Sequence, residues 1–131
     1  MQHKEQICQS VAAHSAEIIG LNDEIWDYSE IGFHVECSAD ALQKKAEDAG
    51  FIVQRGLAQI PNALVAEYGS GRPVIGILAE YDALSGLSQE RGCPTHNPRA
   101  QGAPGHGCGH CSLAAGAFGA AVAVKDFLSS A

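Results

Sequence analysis

Residues 73–79, Pro-Val-Ile-Gly-Ile-Leu-Ala, form an unbroken apolar run. Apolar side chains without polar alternation mark a strand covered on both faces. Such a strand needs a layer above it and a layer below it, and no other segment narrows the fold as much. Two shorter strand candidates precede it, residues 51–54 and 63–68, the second ending at the turn Gly69, Ser70, Gly71.

Helical patterns come before the strands. From His3 to about Ser29, Ile7, Val11, His14, Ile18, Leu21, Ile25 and Tyr28 recur at three- and four-residue steps. Gly20 is a candidate break and Asn22 a candidate cap for a second segment. Trp26 and Tyr28 are expected in the core. A further helix is expected from Ser38 to Ala49, with Ala41, Leu42, Ala46 and Ala49 inward, Ser38 as N-cap and Gly50 as C-cap. Residues 85–107 are rich in Gly, Pro and polar residues and read as a long loop. A helix of small residues follows from Leu113 to about Leu128, where Gly116 and Gly119 favour close packing at some cost in helix stability. This order predicts an α/β layer fold. A sheet that starts this way normally continues, so residues 1–131 read as the first part of a larger domain.

The 131 residues fit one domain or part of one, and 46% hydrophobic residues suffice for a core. A net charge of −7 argues against nucleic acid, which requires a basic face. No basic run faces a membrane, the N-terminus lacks the apolar stretch of a secretory leader, and residues 113–124 are short for a bilayer span. The expected location is the cytoplasm. Five cysteines, an odd and irregularly spaced set, read as thiols or ligands.

Chemistry concentrates in residues 105–111, Gly-His-Gly-Cys-Gly-His-Cys. Thiolate and imidazole are good ligands for a zinc-like ion, and glycine lets the backbone turn tightly enough to aim them. Cys108 and His110, two residues apart, can serve one ion. The alternative is a buried thiol beside a helix-capping histidine. A helix N-terminus just beyond favours thiolate. At the end of the apolar run, Glu80 and Asp82 fall on the same side by alternation, and one of them can orient a metal-bound histidine. A solvated strand exit is the plainer reading of these two carboxylates. The 26 positions from Asp82 to Cys108 let the loop return to that edge. Cys93 and His96 read as loop surface. His3, Cys8, His14, His34 and Cys37 read as packing or surface.

Taken in order, four segments resemble the di-metal amidohydrolase and exopeptidase family that includes aminoacylases and carboxypeptidases, and within it the hydrolases of amino-acid conjugates. They are residues 25–33 (Ile-Trp-Asp-Tyr-Ser-Glu-Ile-Gly-Phe), 73–84 (ending Ala-Glu-Tyr-Asp-Ala-Leu), 86–89 (Gly-Leu-Ser-Gln) and 105–110. The resemblance implies the start of a three-layer, zinc-exopeptidase-like α/β catalytic domain. It implies metal ligand roles for Cys108 and His110, and for Asp82 the role of orienting the centre. Two divalent ions, zinc or manganese, are implied as cofactors, with a homo-oligomeric full-length protein. Relatives outside the branch carry a histidine ligand where this chain has Glu80, so no ligand role passes to Glu80. Cys111 stands where the branch has Asn or Asp. The family's later glutamate pair, further histidine ligands and dimerisation domain have no counterpart in these residues.

The implied reaction is metal-dependent hydrolysis of an amide bond in an N-acyl or aminobenzoyl amino acid or small peptide, with the 131 residues alone expected to be inactive. Two other readings of the same motif are a thiol–disulfide redox protein using Cys108 and Cys111, and a non-enzymatic zinc module drawing on Cys93, His96, His106, Cys108, His110 and Cys111.

Overall fold

A computed structural model describes residues 2–130. Among the described residues four α-helices, α1 (Gln2–Ala13), α2 (Ser15–Tyr28), α3 (Glu36–Asp48) and α4 (His110–Ser130), pack on one another, and a small hairpin of β1 (Ile52–Arg55) and β2 (Leu64–Glu67) lies against α3. The strands are antiparallel, with Ile52 opposite Glu67 and Arg55 opposite Leu64. The chain is thus a mixed fold of helices and a small sheet, compatible with the α/β expectation.

The core lies between helices. Leu21 and Ile25 of α2 are fully buried against Ala114, Ala115, Phe118 and Val122 of α4, with Ala41 and Leu42 of α3 closing the cluster. Burying Leu21 and Ile25 contributes about 1.5–3 kcal/mol each. That gain explains why α2 runs unbroken through Gly20 and Asn22, against expectation. The break falls instead at His14 (φ −92°, ψ 8°), whose ring reaches Glu17 at 3.4 Å and Asp126 of α4 at 3.2 Å. Trp26 packs against the core as expected, whereas Tyr28 is 39% exposed and hydrogen-bonds Glu24 instead.

Helix α3 begins two residues before Ser38, which is not its N-cap. The carboxylate of Glu30 does that work from outside the helix, accepting from the backbone N–H of Cys37 (2.9 Å) and from the N–H and Oγ of Ser38 (2.7 Å each). At the other end Gly50 (φ 85°) acts as expected: its N–H donates to Glu47 O, and that of Phe51 to Ala46 O.

The largest departure concerns residues 73–79. They form no strand, every one is exposed, and Leu78 reaches 96% exposure. A strand is defined by hydrogen-bonded neighbours, and the sheet of the described residues stops at two strands. Among the described residues the apolar pattern therefore has no strand partner. The Arg72–Pro73 peptide bond just before it is cis.

Residues 85–107 form the expected long loop, fixed at defined points. Arg91 pairs with Asp23 (3.0 Å) and Asp27 (2.8 Å), and Arg99 with Asp27 (3.1 Å). Helix α4 then starts three residues earlier than expected and extends two further. Its 21 residues are long and apolar enough to cross a membrane by length and composition. Here the helix supplies much of the core.

Candidate metal centre

The ends of the long loop meet through backbone hydrogen bonds. Leu84 N donates to Gly105 O and Gly105 N to Leu84 O, both at 3.0 Å. Ala83 N donates to Glu30 O at 2.6 Å, tying the same residues to the end of α2. The return of the loop to Asp82 is thus achieved by a two-residue clasp. Gly105 is essential to it, since a Cβ there would lie 2.1 Å from the carbonyl oxygen of Leu87. Gly109 (φ 85°) lets the chain turn into α4.

His110, the first residue of α4, is brought against both carboxylates named from the sequence. Its Nδ1 lies 2.8 Å from Asp82 Oδ1 and 2.9 Å from Asp82 O. A backbone carbonyl only accepts, so Nδ1 carries the proton and Asp82 fixes the tautomer. Nε2 lies 3.2 Å from Glu80 Oε2, so the ring is held between two carboxylates.

Cys108 is exposed and free, two residues before His110 in the same glycine turn. Among the described residues no group of three or more His, Cys, Asp or Glu is arranged to hold a metal ion. A tetrahedral ion needs four donors, so the His110 imidazole and the Cys108 thiol would not by themselves complete a sphere.

The remaining motif residues are used differently. Cys111 is 1% exposed in the core, and burial pushes its thiol pKa up. It packs α4 and adds no competing ligand. His106 is 3% exposed, with Nε2–H donating to Ile25 O at 3.0 Å, and burial lowers its pKa, so the ring is neutral. Its Nδ1 is buried without a partner. Cys93 bonds to Thr95 within the loop.

Sequence reasoning missed Asn62. It is 4% exposed, donates through Nδ2 to Phe33 O (2.9 Å), and accepts from Arg55 Nη2 (2.7 Å). Its carbonyl accepts from the Tyr81 hydroxyl, which anchors the residue between Glu80 and Asp82. An Asn after a Pro reads as an ordinary turn, so no local signal betrays this role. Beside the centre an open recess of about 220 Å³ is lined in part by Phe33, Val35, Ile60, Glu80, Tyr81 and Asp82.

His110 thus rests on the Asp82 carboxylate, with the free, exposed thiol of Cys108 two residues before it. Over 122 residues, 93% of its length, the chain is 45% identical to a p-aminobenzoyl-glutamate hydrolase subunit from Escherichia coli (strain K12). The chain spans 25% of that protein's length. The resemblance drawn from the motifs is thereby borne out, and the relative is by name part of a hydrolase. No family model matches the chain, and no solved structure matches it.

Proposed function

We propose that this chain supplies part of the metal centre of an amide hydrolase acting on N-acyl or aminobenzoyl amino acids or small peptides. The observation that carries this reading is the clasped His110–Asp82 pair. Likeness to a hydrolase of an aminobenzoyl-amino acid supports the substrate class. Cys108 and His110 would hold a divalent ion, zinc or manganese, of a two-ion centre. When bound, such ions acidify water and polarise a carbonyl. Asp82 holds the His110 proton on Nδ1 and keeps the ring aimed. Phe33 and Ile60 offer apolar surface in the adjoining recess for a substrate ring or acyl group. In this reading the chain belongs to a three-layer, zinc-exopeptidase-like domain of a cytoplasmic homo-oligomer. Its substrate is a small molecule, with no role for nucleic acid or membrane.

Calorimetric titration of the chain with Zn²⁺ or Mn²⁺ tests the centre. Binding is expected, lost in Cys108→Ser and His110→Ala, weakened about 10–100-fold in Asp82→Asn, and unchanged in Cys93→Ser. Titrations that ignore Cys108 and His110 overturn the proposal, and dependence on Cys93 instead favours the zinc module. With no group of three or more donors gathered among the described residues, the 131 residues are expected to show no chelator-sensitive turnover of p-aminobenzoyl-glutamate. The redox reading would make the exposed Cys108 the attacking thiol and the buried Cys111 the resolving one, roles the hydrolase reading gives to neither. Inertness in insulin reduction is expected.

A further inference from the structure

His106 is a buried imidazole that makes one hydrogen bond. Its Nε2–H donates to the carbonyl oxygen of Ile25 at 3.0 Å, its Nδ1 is buried without a partner, and its ring centre lies 6.2 Å from that of Trp26. Burying an imidazole on a single hydrogen bond costs more than burying a phenyl ring of similar size. What the imidazole adds is a donor, and the donor ties residue 106 to the last turn of α2. The same residue opens a turn. The carbonyl oxygen of His106 accepts from the N–H of Gly109 at 2.8 Å, with Gly107 and Cys108 between them. The far end of the turn is held as well, since the carbonyl oxygen of Gly109 accepts from the N–H groups of Ser112 (2.9 Å) and Leu113 (3.1 Å) in the first turn of α4. Helices α2 and α4 share one core, so both ends of the turn are fixed to the same body. The Cys108 side chain is exposed, and its direction is inherited from the backbone of that turn.

We propose that His106 is a positioning residue for Cys108: through its bond to the Ile25 carbonyl it fixes the turn that carries the thiol. The inference rests on the proposed function, in which Cys108 is a metal ligand. A ligand on a turn held at one end only samples several directions, and each unproductive one is an ordering cost when the ion binds. With residue 106 anchored, most of that ordering is complete once the chain has folded. Asp82 does the corresponding work for His110 through a direct side-chain contact. For Cys108 the anchor lies two residues away and acts through the backbone. The role requires an N–H at the place of Nε2 and no charge. Glutamine carries an amide nitrogen at a similar reach and is expected to substitute. Phenylalanine fills the space without a donor and is not.

Titration of the chain with Co²⁺ reads the thiolate separately, because a cobalt-bound thiolate gives a charge-transfer band in the near ultraviolet. The unaltered chain is expected to show that band. His106→Phe is expected to lower cobalt affinity on the order of tenfold and to weaken the band, and His106→Gln to restore both. Circular dichroism checks that each variant keeps the native helix content. A band absent from the unaltered chain overturns the proposed function and this inference with it. A band unchanged in His106→Phe, or lost equally in His106→Gln, overturns this inference alone and leaves the centre standing. Nuclear magnetic resonance of the unaltered, metal-free chain gives a readout free of mutation, and decides the case if His106→Phe loses helix content. The Nε2–H tautomer of His106 with a slowly exchanging ring proton is expected, together with a protected Gly109 amide. The Nδ1–H tautomer, or fast exchange at either place, overturns the inference whatever the cobalt result.

Discussion

At position 105 the backbone of Leu87 leaves no room for a side chain, since an added Cβ would sit 2.1 Å from a carbonyl oxygen. Gly105→Ala is therefore expected to cost about 1–3 kcal/mol, read by urea unfolding, and to loosen the clasp that sets Asp82 against His110. Glu30 is the second decisive residue. Burial opposes its ionisation, but hydrogen bonds from Ser38 Oγ and the N–H groups of Cys37 and Ser38 outweigh it and hold the carboxyl below its usual range. Because the folded state binds the proton less readily, this contribution is complete above the ordinary glutamate value of about 4.3 and is lost as pH falls through the lower folded value. Glu30→Gln is expected to remove about 1 kcal/mol at pH 7 and less at pH 3, measured as the difference between urea midpoints at the two pH values. Cys108, His110 and Asp82 were legible as candidates because their chemistry and spacing are local. Glu30 and Asn62 were not, because each acts on a backbone group that only folding brings within reach.

Helix α4 shows how one residue type plays opposite parts within an element. An added Cβ at Gly119 would meet Ile18 Cδ1 at 2.6 Å, whereas nothing lies within 4 Å of one at Gly116. Close packing was expected of both, and α2 approaches only one. Gly116→Ala is expected to stabilise the protein by about 0.5–1 kcal/mol, since alanine is the better helix former and meets no obstacle. Gly119→Leu is expected to destabilise it by about 1–3 kcal/mol through overpacking. Thermal unfolding of the two variants side by side checks both signs. Along α2, Gly20 was read as a break from its propensity alone. The burial of Leu21 and Ile25 exceeds a glycine penalty of about 1 kcal/mol, so the helix continues.

Across the molecule, charged staples hold the long loop to the helical body. Asp27 receives both Arg91 and Arg99. Exposed pairs of this kind contribute little to global stability but restrict the loop locally. Asp27→Ala is expected to shift the unfolding free energy by less than about 1 kcal/mol, while amide exchange in residues 88–100 quickens. The sequence by itself determined the helical segments, the two short strands, the glycine turn and the ligand-type residues. Each of these follows from periodicity, capping chemistry or donor type within a few neighbouring positions. Only the tertiary structure decided that His110 rests on Asp82, that Cys111 belongs to the core, and that residues 73–79 stand uncovered. The physical reason is that a side chain's partner and a strand's neighbour are supplied by distant segments, and an apolar pattern states a need for cover without naming what covers it.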